Sequence, residues 1–163
     1  MKKAFSSPRV GFAVSLILIS LPQIVRADDD PVIGTWKMNL GKSAFLQGPG
    51  FKSEMRTYEK QPDGVKVTIR TVDSTGKLVI SSYLSTPDGQ RHSVTGEGGP
   101  ADAVALKQIN DFTAESTLMH AGREVAKTTR VVSPDRKHMT ITYFGLDPVG
   151  TQVNYRMVFD KVE

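Results

Sequence analysis

A turn signal keeps returning along this chain, and it leaves little room for helices. QPDG occupies 61 to 64, DSTG 73 to 76, TPDG 86 to 89, HAGR 120 to 123, SPDR 133 to 136 and GLDPVG 145 to 150. Proline presets φ for the second turn position, aspartate bonds its own backbone and glycine accepts positive φ. An x-Pro-Asp-Gly run therefore makes a type I turn that ends in a bulge, which is a hairpin signal. Between these turns the side chains alternate. Val65, Val67 and Ile69 interleave with Lys66, Thr68 and Arg70; Met139, Ile141 and Tyr143 with His138, Thr140 and Thr142; Val153, Tyr155, Met157 and Phe159 with Gln152, Asn154, Arg156 and Val158. A period of two with one apolar face predicts half-buried strands.

About ten strands are expected, over 32–40, 53–60, 65–72, 77–85, 90–95, 103–110, 112–119, 124–132, 138–144 and 151–160. No window after the first 27 residues carries an apolar helical stripe over three turns, so helix content should be very low. Short hairpins in series give an antiparallel meander, whose edges are best removed by closing the sheet. The expected fold class is all-β, an up-and-down meander barrel, with a two-sheet sandwich as its competitor. GEGGPAD at 96 to 102 marks a wide loop or a strand gap at the barrel seam.

The N-terminus sets the compartment. Met1, Lys2 and Lys3 precede the apolar run VGFAVSLILIS, and VRA follows before Asp28, Asp29 and Asp30. That is the pattern of a cleaved signal peptide over 1–27, with Val25 and Ala27 at the positions a peptidase reads. Residues 28–163 then form a single barrel domain, periplasmic or secreted. The apolar run is too short to span a bilayer as a helix, and no integral membrane segment is expected after cleavage. The chain has no cysteine, so neither a lipid anchor on cysteine nor a disulfide supports it, and packing must hold it together. Four of the 21 Lys and Arg precede the cut and none of the 17 Asp and Glu does, which leaves 17 of each. Such a balance gives no electrostatic footprint for nucleic acid or an anionic membrane.

The single tryptophan, Trp36, stands in VIGTWKMNL at the start of the first strand. In a barrel the first strand must plug one end, and Trp36 is the largest plug available. Gly34 would let the chain kink across the bottom, with Trp36, Met38 and Leu40 on one inward face. Gly-x-Trp at the head of a β-meander resembles the calycin superfamily, which includes lipocalins, avidins and fatty-acid-binding proteins. VIGTWKMNL, the strand count, the final VFDKV and the length are most similar to the fatty-acid-binding branch. GTWKMNLGKSAF and ALKQI resemble small exported bacterial lipocalin-like proteins.

Two departures qualify what the resemblance implies. Fatty-acid-binding proteins carry two helices as a lid between their first strands, whereas GKSAFLQGPGFKS (41–53) holds Gly-Pro-Gly. Any lid here is a loop, with Phe45, Leu46 and Phe51 as its apolar contacts. The branch also grips a carboxylate with an arginine on a late strand and Arg-x-Tyr on the last. Arg130 is similar in position to the first, but Met157 and Phe159 stand at the other two, and Arg156 falls on the opposite face.

Candidate site residues follow from this. An inward Arg130 would need a partner or an anionic ligand; an outward one would sit on a solvated face, with Val125, Lys127, Thr129 and Val131 as the inner row. Trp36, Met38, Tyr155, Met157 and Phe159 are the expected pocket lining, or else they fill the barrel and leave no cavity. His92, His120 and His138 adjoin turns without metal-ligand spacing. No nucleophile elbow, nucleophilic cysteine or paired carboxylate points to catalysis, and no cofactor or metal is expected. The leading expectation is an exported, monomeric, non-catalytic barrel that binds a small hydrophobic or amphipathic molecule. The alternatives are a solid envelope barrel that contacts another protein through its loops, and haem or metal binding through one histidine.

Overall fold

The computed structural model describes residues 30–162; the expected signal peptide lies outside the described residues. Twelve strands run in chain order: β1 (Gly34–Met38), β2 (Ala44–Gln47), β3 (Phe51–Gln61), β4 (Gly64–Asp73), β5 (Leu78–Ser85), β6 (Asp88–Ser93), β7 (Thr95–Gly96), β8 (Ala103–Asn110), β9 (Thr113–His120), β10 (Arg123–Val132), β11 (His138–Leu146) and β12 (Gln152–Lys161). They form one antiparallel sheet in the order β6-β8-β9-β10-β11-β12-β1-β3-β4-β5-β7, with β2 added on β12. β6 and β7 are two halves of one short run. The two ends of the sheet are thus the same stretch of chain, which bonds β8 with its first half and β5 with its second. The result is an all-β, nearly closed meander barrel.

The strand expectations are met almost span for span, and the differences have local causes. Of the two alternatives for GEGGPAD the wide loop is the one found, with residues 97–102 joining β7 to β8, while the seam falls just before it, where the chain changes partner at Val94. The segment 41–53, expected to be a loop, includes β2, which pairs Ala44 with Arg156 and Phe45 with Tyr155. Leu40 does not join Trp36 and Met38 on the inner face. The chain leaves the strand after Met38 for a single 3-10 turn (Leu40–Lys42) capped by Asn39, and Leu40 is 48 % exposed.

That turn is tied back to the sheet by Asp160. Its carboxylate accepts from Asn39 Nδ2 at 2.6 Å and Lys42 Nζ at 3.2 Å, and meets His138 Nδ1 at 2.8 Å. The bond from Asn39, ahead of smaller effects of Lys42 and His138, holds the Asp160 carboxyl below its usual range.

Cross-strand register decides which residues face inward. Trp36 and Met38 share a face with Phe159, Met157, Tyr155 and Val153 of β12, and those with Met139, Ile141, Tyr143 and Gly145 of β11. This wall is fully buried. The floor is Trp36: it is 0 % exposed, and its indole N–H donates to the Val32 carbonyl at 2.7 Å. Gly34 makes that crossing at φ +126°, a conformation that side chains rarely adopt. Lys161 closes the floor from below, its Nζ 5.3 Å from the indole.

Trp36→Ala should therefore cost about 3 to 5 kcal/mol in urea denaturation, the loss typical of a buried aromatic. A loss under about 1 kcal/mol would show that the indole does not hold the floor.

Candidate functional site

The wall opposite β11 and β12 has a different character. Tyr58 of β3 pairs with Gly34, and Arg56 with Trp36, so the alternation points Glu54, Arg56 and Tyr58 into the barrel. Met55, the apolar residue among them, points out. The same ladder turns Val67, Ile69 and Thr71 of β4 and Ser81, Tyr83 and Ser85 of β5 inward. On the far side Ala114 and Ser116 of β9 meet Arg130 and Thr128 of β10, and these meet Ile141 and Tyr143.

Of this second set, Ile69, Ser81, Tyr83, Ser116 and Thr128 are only half-buried although they face inward. The interior is thus filled along β1, β11 and β12 and reaches solvent along β4, β5, β9 and β10.

Three charged side chains stand in this polar half. Glu54 is 4 % exposed and is fully engaged. Arg56 Nε donates to its Oε1 at 2.6 Å and Thr71 Oγ1 to its Oε2 at 3.0 Å. The Arg56 guanidinium also lies 5.5 Å from the Phe159 ring centroid. Burial, the largest single effect, opposes its charge, but Glu54, Tyr58 and Tyr83 together more than offset it and raise its affinity for the proton.

Arg130 is the third, and the structure settles its orientation. It faces inward, its guanidinium carbon 5.5 Å from the Tyr58 ring centroid, while Val131 is exposed on the outer face. Its Nε is a buried donor without a hydrogen-bond partner. The hydroxyl of Tyr83 is close enough to feel Tyr58 and both arginines; burial first, then Tyr58, pushes it up to about 12.

Arg130 borders a recess of about 40 Å³ together with Asp30, Val32, Val65, Ser85, Pro87, Leu106 and Gln108. That is room for one or two waters, well below the roughly 300 to 1,000 Å³ of an ordinary ligand site. A second groove, about 320 Å³ and open to solvent, lies on the bend after β1 against Lys37, Asn39 and Asp160.

Of the residues expected to line a pocket, Trp36, Met38, Tyr155, Met157 and Phe159 all point inward and pack on one another, and Arg130 alone borders the recess. Glu54, Arg56, Tyr58 and Tyr83 were not anticipated. The signal for them was the same alternation, read with polar residues inside.

The other end of the barrel is roofed by Phe45, Phe51 and Tyr155, whose rings meet edge to face with centroids 5.2 to 5.8 Å apart. Phe45 and Phe51 make the apolar contacts expected of a lid, whereas Leu46 is 70 % exposed. The histidines each stand beside a carboxylate: His92 with Asp88, His120 with Asp102 and His138 with Asp160. Among the described residues no helix is long and apolar enough to cross a membrane.

No family model and no curated protein matches this chain. Among solved structures it is similar to zebrafish ileal bile acid-binding protein complexed with cholic acid, at 12 % identity and a TM-score of 0.47, over 81 % of this chain and 99 % of that one. The strand order by itself shows a nearly closed antiparallel meander barrel.

The Glu54–Arg56 pair gives a direct test of the polar half. Arg56→Met should destabilise by about 3 to 5 kcal/mol because it strands a buried carboxylate, whereas Glu54→Leu with Arg56→Met should cost much less. Equal losses for single and double variants in urea denaturation would mean that the pair is solvated.

Proposed function

We propose that this chain is an exported, non-catalytic barrel that holds a small amphipathic molecule, with the anionic end of that molecule on Arg130. The observation that carries the reading is Arg130 itself: an inward guanidinium with a buried, unpartnered Nε beside a recess. A buried donor left without an acceptor costs on the order of 1 to 3 kcal/mol, more when charged, and an anion would repay that. The apolar part of the ligand would lie toward Met157 and Ile141, which neighbour Arg130 in register, and on toward Phe159, Tyr155, Met38 and Trp36. Occupancy would require the recess to widen, since it admits only water as it stands. The signal-like N-terminus supports a role outside the cytoplasm.

A second reading has its own support. Leu46, Phe144 and Val149 are exposed at the roofed end, where β2, β11 and β12 lie side by side. Singly exposed apolar residues are ordinary, but a joined patch marks a contact surface. On this reading the barrel is solid and docks a protein through that end.

Titration with anilinonaphthalene sulfonate, an apolar anion, separates the two, with Trp36 as an intrinsic reporter. The binding reading expects saturable quenching or energy transfer, a Kd raised roughly tenfold or more by Arg130→Met, which corresponds to about 1.4 kcal/mol, and little change for the uncharged dye Nile red. No saturable binding, or equal affinity in Arg130→Met, would refute the placement of the anion.

A further inference from the structure

Arg130 is not the only charge at its recess. Part of the wall belongs to the segment that crosses the floor, and Asp30 and Val32 of that segment both border the cavity. Asp30 opens a tight turn there. Its carbonyl accepts from the Ile33 amide at 3.1 Å, and its carboxylate oxygen Oδ1 accepts from the Val32 amide at 3.0 Å. Pro31 presets φ at the second position of this turn, and the Val32 carbonyl holds the Trp36 indole. The acidic side chain is thus fastened to the barrel floor.

The two charges border one small cavity and do not pair. Among the described residues Arg130 Nε has no acceptor, and the Asp30 carboxylate takes only the Val32 amide. The other polar neighbours are neutral. Ser85 is buried and carries a hydroxyl that can donate or accept. Gln108 spends its side-chain amide on the Asn110 carbonyl, which leaves its side-chain oxygen as an acceptor. The cavity therefore offers one cationic donor and one anionic acceptor, and no net charge.

That balance selects the head of the guest. A plain anion on Arg130 would come close to the Asp30 carboxylate and lose to repulsion part of what it gains. A plain cation would meet Arg130 in the same way. A neutral head would leave both charges, each half-buried, without a counter-ion. A head that carries an anion and an ammonium on one carbon pairs with both, through a charge-assisted hydrogen bond at each end.

We infer that the Arg130–Asp30 recess takes a zwitterionic head group, its anion on Arg130 and its ammonium on Asp30, carried on an apolar tail. The inference rests on the binding reading above and narrows its ligand to the class of α-amino acids with a long apolar substituent. Like any guest larger than water, such a head requires the recess to widen. Asp30 is then a specificity-determining residue: it contributes to the affinity for the ammonium and opposes an anion that lacks one.

Three matched fluorescent probes test this on the full barrel. Nε-dansyl-lysine carries carboxylate and ammonium, dansyl-aminohexanoic acid lacks only the ammonium, and dansylcadaverine lacks only the carboxylate. The wild-type barrel should bind Nε-dansyl-lysine roughly tenfold or more tighter than either of the others. Asp30→Asn keeps an acceptor for the Val32 amide and removes the charge. It should raise the Kd of Nε-dansyl-lysine roughly tenfold and leave that of dansyl-aminohexanoic acid unchanged or lower, which also shows that the variant is folded. Arg130→Met should weaken both carboxylate probes. Equal wild-type affinity for the two carboxylate probes, or a preference for the zwitterion that survives Asp30→Asn, would overturn the inference and leave the anion on Arg130 intact. Failure of the wild-type barrel to bind either carboxylate probe, or indifference of both to Arg130→Met, would overturn the binding reading and the inference together.

Discussion

One hydrogen bond, from the Trp36 indole to the Val32 carbonyl, decides what kind of container this sheet makes. A meander rolled into a tube has two open ends, and the apolar faces of its strands are of no use while water reaches them from both. The indole stops one end with a large apolar body, and its only donor is satisfied by the segment that crosses beneath it. Met139, Met157 and Phe159 then pack above a dry floor. Gly34 is the position that lets the chain make that crossing.

With the floor sealed, the two halves of the interior divide the work. β1, β11 and β12 present sulfur, aromatic and branched side chains to one another, and this wall carries most of the hydrophobic stabilisation. β3, β5, β9 and β10 turn carboxylate, guanidinium, phenol and hydroxyl groups inward, which no barrel held together by its core alone has reason to do. Glu54 and Arg56 neutralise each other. Among the described residues Arg130 faces the ring of Tyr58 and keeps a buried Nε without an acceptor, and the proposed anionic guest would supply that acceptor.

The strands were legible because their alternation is strong where one face is buried: Val65, Val67 and Ile69, and Met139, Ile141 and Tyr143, sit where period two places them. Trp36 was legible for a similar reason, as the bulkiest residue at the head of a meander. Legibility fell on strands whose two faces are chemically alike. In REVAKTTRVV (123–132) valine and threonine occur on both faces, and only the pairing of Arg130 with Ala114 and Ile141 orients it. In FKSEMRTYEKQ (51–61) the pattern is inverted, with Glu54 and Arg56 inside and Met55 outside, so hydrophobicity points the wrong way. The change of partner at Val94 is set by contacts far apart in the chain, which local spacing does not encode. Leu40 failed because a cap at Asn39 ended the strand sooner than its apolar residues suggested.

Since Trp36 is the only tryptophan, its fluorescence in the ligand-free protein reports on the floor without interference. A sealed floor predicts a blue-shifted emission maximum and near-immunity to acrylamide, both lost together on unfolding in urea. Emission at the wavelength of indole in water, or quenching as efficient in the native as in the unfolded chain, would contradict a sealed floor and, with it, the barrel interior described above.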